Sequence, residues 1–168
     1  MSARLLAPAG LVIGGLLGLA GALVPSNSLR GLCWGLDGIA LVIASAMLAV
    51  HHIRRGHEMV AAGFLVFLAG ETLVFSGSAM GLAESAPLFA AGAGLWSASL
   101  VLISVPRLMP SWSRVTAVMA AALFAVVAVH LFLGDRLTPL SRPLPFFAYP
   151  FLVATLFGWA WAHARNAD

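Results

Sequence analysis

Residues Met59–Gly81 read MVAAGFLVFLAGETLVFSGSAMG, 23 residues with a single ionisable side chain, Glu71. At about 1.5 Å per residue, a helix of that length exceeds the roughly 30 Å hydrocarbon thickness of a bilayer. Working outward, five more runs of the same kind appear: Leu5–Val24, Leu32–Val50, Pro87–Val105, Val115–Gly134 and Phe146–Ala164. The expectation is an all-α, polytopic membrane protein with one bundle over residues 1–168 and spans at 5–24, 32–50, 59–81, 87–105, 115–134 and 146–164.

Composition agrees with that reading. The 168 residues are 61% hydrophobic and 9% charged, with a mean hydropathy of +1.00. A soluble domain is about a quarter charged, so this chain cannot cover its apolar side chains with a charged surface. Six spans and short turns consume nearly the whole length and leave no soluble catalytic domain. The nine basic residues are all Arg, which together with abundant Ala and Gly looks like the composition bias of a GC-rich bacterial genome. Their placement between apolar runs points to membrane orientation and not to nucleic acid. The one cysteine, Cys33, excludes an internal disulfide and any multi-cysteine metal site. Arg4 and the small residues Ala20-Gly21-Ala22 also fit a secretory signal, but the run between them is long enough to span.

Arg4, Arg54, Arg55, Arg107, Arg114 and Arg165 fall on one side, and Arg30, Arg136 and Arg142 on the other. The positive-inside rule then places both termini in the cytoplasm, in the inner membrane of a bacterium. Val24-Pro25 and Val105-Pro106 end the first and fourth spans, and His51 and His130 sit near the ends of the second and fifth. These echoes suggest an inverted repeat of three spans each, as in many transporters.

Small residues mark the packing faces. Gly10, Gly14, Gly18 and Ala22 recur every four residues, Gly56, Gly63, Gly70 and Gly77 every seven, and Ala117, Ala121 and Ala125 every four. Such stripes let helix backbones approach closely in lipid. They serve packing within the chain, and the first could also seat a second copy or a subunit of a larger membrane complex. Pro87 suits the first turn of the fourth helix, and Ser111 or Ser113 its successor's N-cap. Trp159, Trp161 and Trp112 read as interfacial anchors at the inner end and Trp34 at the outer.

Ionisable groups inside spans cost several kcal/mol and call for a reason. Glu71, about twelve residues into the third span, lies near mid-membrane; Asp37 and His130 lie nearer the outer ends of the second and fifth. All three fall in the outer half and could share a pocket, with Ser78 on the Glu71 face and Trp96 mid-span beside Ser97. Such a pocket could exchange protons or bind a cation or amine. No span carries two ligands at metal-binding spacing. The loop His51, His52, Arg54, Arg55, His57 and Glu58 reads as a solvated positive-inside anchor, with an anion, a lipid head group or a metal as the alternative. A haem between His130 and His163 is excluded by their opposite depths, which leaves His51 or His52 with His163. No cofactor is assigned and no catalytic constellation is legible. The expected function is therefore a small transporter or solute-binding membrane subunit around Glu71. An accessory subunit held by the Gly10/Gly14/Gly18 face comes second, and a cofactor-dependent enzyme acting on a lipid or quinone third.

Overall fold

The computed structural model describes residues 5–77, 80, 82–136 and 144–165. They form six helices: α1 (Leu6–Leu23), α2 (Asn27–Arg54), α3 (Glu58–Gly77), α4 (Leu82–Ser104), α5 (Ser111–Phe132) and α6 (Leu144–Arg165). Five of these, α1 to α5, are long and apolar enough to cross a membrane. Mid-helix side chains such as Leu16, Ile39, Ile43, Leu65 and Val118 point outward, an apolar surface suited to lipid.

Several boundaries move from the expected ones, each for a local reason. Helix α2 starts at Asn27, not Leu32, because the Leu29 N–H donates to Ser26 Oγ at 3.5 Å and Arg30 donates to Asn27 Oδ1 and the Val24 carbonyl at 2.8 and 2.9 Å. These bonds satisfy the exposed first turn. Its 28 residues would reach about 42 Å, beyond the hydrocarbon layer. Helix α4 begins at Leu82, so Pro87 sits in its second turn and forfeits a backbone bond there. Helix α5 begins at Ser111 behind Pro110 with no side-chain cap. Ser113 instead donates to the Pro110 carbonyl at 3.1 Å.

Two helices end in the same way. At the close of α2, Gly56 N–H donates to the Ile53 carbonyl and His57 N–H to the His52 carbonyl. At the close of α5, Gly134 N–H donates to Leu131 and Asp135 N–H to His130. This is the Schellman arrangement, which needs a left-handed residue, and Gly56 (φ 72°) and Gly134 (φ 101°) supply it. Gly56 is therefore a turn residue and not part of the α3 packing stripe.

The helices form a closed ring in which each packs on its sequence neighbours and α1 packs on α6. Short connections make neighbours antiparallel, so α1 begins and α6 ends at the same end of the bundle. Glycines set the closest approaches. A Cβ on Gly14 would fall 2.5 Å from the Leu41 side chain, one on Gly18 2.7 Å from Asp37 Oδ2, and one on Gly21 2.5 Å from the Trp34 indole. The Gly10/Gly14/Gly18 face is thus filled by α2 of the same chain and is not open to a partner. Between α3 and α4, Gly70 and Gly92 meet back to back, each Cβ position lying 2.9 Å from the other's carbonyl oxygen. On α5, Ala117 and Ala121 face inward as expected, but Ala125 is exposed and Ala128 continues the buried face.

Aromatic rings fill the middle of the ring. His52 stacks on Phe64, which meets Trp159; Trp159 meets Phe67, Phe67 stacks on Trp96, and Trp96 meets Phe124 and Tyr149. Trp159, expected at the interface, is fully buried, because its position turns it toward the ring axis and not toward lipid. Trp112 and Trp161 are about half exposed as anchors should be, and Arg165 lies over the Trp161 ring at 4.5 Å.

Candidate functional site

Glu71 lies on α3, about 20 Å along the helix from Glu58 by the helical rise, and only 2% of its surface is exposed. Its position follows from the preceding residue. Gly70 brings α3 against the Gly92 carbonyl and the Trp96 indole, its Cβ position lying 2.9 Å from Trp96 Cδ1. The next residue, Glu71, is held in the interior by that crossing. On the other flank, α2 approaches α3 where a Cβ on Gly38 would meet the Phe75 ring at 2.7 Å, one turn of α3 from Glu71. The residue before Gly38 is Asp37.

Asp37 rests in the groove of α1. Its carboxylate lies over Gly14 and Gly18, so the small stripe makes room for an acid as well as for a neighbouring helix. The Asp37 and Glu71 carboxyl groups are within electrostatic reach of one another, and Tyr149 of α6 is within reach of both. Trp96 directs its indole N–H at the Glu71 carboxyl in a loose contact that falls short of full hydrogen-bond geometry. Asp37 Oδ1 and Glu71 Oε2 are likewise buried without a hydrogen-bond partner among the described residues. A buried polar atom without a partner costs about 1–3 kcal/mol, and two such carboxyl oxygens lie in this region, on Asp37 and Glu71.

Of the five expected residues the structure brings together Glu71, Asp37 and Trp96, and not His130. His130 Nδ1 pairs with Asp135 Oδ2 at 2.7 Å, and the two side chains are 53% and 63% exposed. The Schellman turn at Gly134 folds Asp135 back onto His130, which holds the imidazole at the rim. Ser78 lies outside the described residues. Ser97, read as a neighbour of the pocket, spends its hydroxyl on the Ala121 carbonyl at 2.8 Å and ties α4 to α5. Tyr149, the one tyrosine of the chain, was not legible as a site residue; only the closure of α6 onto the ring puts it near the acids.

A second polar group occupies the end of the bundle where α2 and α6 finish. His52 Nε2 and His163 Nε2 are 3.0 Å apart, His52 Nδ1 and His57 Nδ1 3.2 Å apart, and His163 Nδ1 is 2.7 Å from the Trp159 carbonyl oxygen. His52 is buried, so the loop read as a solvated anchor has one of its histidines turned into the ring. The pairing of His52 with His163 considered for a haem is met as a direct hydrogen bond. Among the described residues no three His, Cys, Asp or Glu side chains converge to hold a metal ion.

Comparison with protein-family models, curated proteins and solved structures finds no match to this chain.

Proposed function

We propose that this protein is a small membrane transporter or solute-binding membrane subunit whose site is the Glu71–Asp37 pair, flanked by Trp96 and Tyr149, and whose ligand is a cation. The observation that carries this reading is the buried Glu71 carboxyl within electrostatic reach of a second carboxyl, each with an oxygen lacking a partner. Two carboxylates in a low-dielectric interior cannot both stand ionised alone; a proton or another cation must accompany them. An aromatic wall beside the acids suits an amine, since indole and phenol faces attract cations.

The orientation is part of the same reading. Six spans, with both termini on the Arg-rich cytoplasmic side of a bacterial inner membrane, place the acids nearer the outer face. The matched endings His52-x-x-x-Gly56-His57 and His130-x-x-x-Gly134-Asp135 support an inverted three-plus-three repeat, because α2 and α5 are equivalent helices in it. The accessory-subunit reading loses its main support, since the Gly10/Gly14/Gly18 face is covered from within.

The test is thermal stabilisation of the purified protein by a panel of monovalent cations and small primary to quaternary amines. Stabilisation by at least one of them should vanish in Glu71→Gln while expression and oligomer size stay unchanged. A Glu71→Gln variant that binds as the parent does would sink the proposal.

A further inference from the structure

The three histidines at the α2/α6 end form a hydrogen-bonded chain whose proton positions can be worked out. His163 Nδ1 is 2.7 Å from the Trp159 carbonyl oxygen, which only accepts, so this nitrogen carries the hydrogen. In the neutral ring His163 Nε2 is then bare, and His52 Nε2, 3.0 Å away, must donate to it. That leaves His52 Nδ1 bare, and His57 Nδ1, 3.2 Å away, must donate in turn. One backbone carbonyl thus sets the tautomers of all three rings. The last nitrogen of the chain, His57 Nε2, is a bare acceptor on a partly exposed turn residue.

Such a chain can pass a proton without moving a heavy atom. A proton from water binds His57 Nε2, and the Nδ1 proton of His57 shifts to His52 Nδ1. The Nε2 proton of His52 then shifts to His163 Nε2. At the end His163 is the imidazolium, His57 keeps its hydrogen on Nε2, the two bonds between rings persist with their direction reversed, and His163 Nδ1 still donates to the Trp159 carbonyl. A second proton cannot enter on these terms, because two N–H groups would face each other across 3.0 or 3.2 Å.

Helix ends give the chain a direction. His57 lies just before the first turn of α3, where the partial positive charge of the helix opposes a cation. His52 and His163 lie in the last turns of α2 and α6, where the partial negative charge favours one. Opposing that are burial and the surrounding bases. His163 of α6, His51 of α2 and Arg55 and His57 of the turn act on His52, His51 and Arg55 act on His163, and among the described residues no carboxylate acts on either. Glu58, which follows His57 in the chain, is exposed; α3 faces them with the Phe64 ring. The bond from His52 to His163 also joins two helices that are not ring neighbours, with α1 between them.

We propose that His57, His52 and His163 are a single-proton relay, which takes a proton from water at this end of the bundle and places its charge on α6 inside the ring. The proposal does not depend on the Glu71 site. The test is imidazole ¹⁵N NMR of the full-length protein in nanodiscs, titrated from about pH 8 to about pH 4.5, around the ordinary imidazole value of about 6.5. The expected result is that the three rings shift together with one midpoint, with one proton shared among them. His52→Gln keeps a donor and an acceptor but cannot pass a proton. It should leave His163 neutral across the whole range. His163→Gln should reduce the shared response to His57 and His52, with the fold intact by heteronuclear spectra. If His163 stays neutral in the parent, or still titrates in His52→Gln, the relay is refuted. Three separate midpoints in the parent would refute it equally.

Discussion

Gly70 offers the sharpest test of how this bundle is built. A Cβ at that position would lie 2.9 Å from the Gly92 carbonyl oxygen, 2.9 Å from Trp96 Cδ1 and 3.0 Å from Leu95 Cβ. None of these atoms is the far end of a flexible chain, so Gly70→Ala must separate α3 from α4. Overpacking costs typically 1–3 kcal/mol, against a gain of about 1 kcal/mol from replacing a helical Gly by Ala. With backbone against backbone the upper half of that range applies, and the net is a loss of about 1–2 kcal/mol. Gly94, two residues beyond Gly92 on α4, is the built-in comparison. Its Cβ would find only Ala128 Cβ, at 3.8 Å, an ordinary contact, so Gly94→Ala should gain up to about 1 kcal/mol. Reversible unfolding in mixed micelles, followed by tryptophan fluorescence, measures both. A Gly70→Ala protein as stable as the parent, or a Gly94→Ala protein destabilised by as much as Gly70→Ala, would show that the α3/α4 crossing is not as described. The same substitution shifts Trp96 away from Glu71, so Gly70→Ala should also weaken cation binding while Gly94→Ala leaves it intact.

Two further outcomes follow from the site. Glu71→Met replaces a buried acid that has one oxygen without a partner with an apolar side chain of similar length, and should raise stability by about 1–3 kcal/mol while removing cation binding; a fall in the unfolding midpoint would mean that the carboxyl is satisfied by its surroundings. His130→Ala removes only an exposed ion pair, so unfolding should change by less than about 1 kcal/mol and cation binding not at all. Loss of binding in that variant would return His130 to the site.

How much of this was legible in the chain varies from residue to residue. Glu71 announced itself, because one acid in 23 apolar residues has no cheap place in lipid. Asp37 was placed at a compatible depth by counting residues, but its azimuth was not, since no periodicity in α2 says which way it turns. The Gly stripe of α1 was readable as a close-packing face, whereas its occupant was not: any helix with a matching ridge satisfies the same spacing. His130 illustrates the opposite failure. Depth alone put it with the acids, and the backbone turn at Gly134 took it away. The histidine loop looked like a solvated anchor because charge counting cannot see that the chain reverses at Gly56 and turns His52 inward.

The sequence by itself determined that the chain is helical and lipid-facing, roughly where its helices run, and which acid is buried deepest. Those properties depend on transfer free energies and helix length, which are local sums along the chain. Only the tertiary structure decided the ring order, the filling of the α1 groove by α2, the approach of Asp37 and Tyr149 to Glu71, and the bond from His52 to His163. Each of these joins residues far apart in sequence through the angle at which two helices cross. That angle is fixed by glycine contacts on both partners at once, as at Gly70 and Gly92, so neither segment read alone contains it.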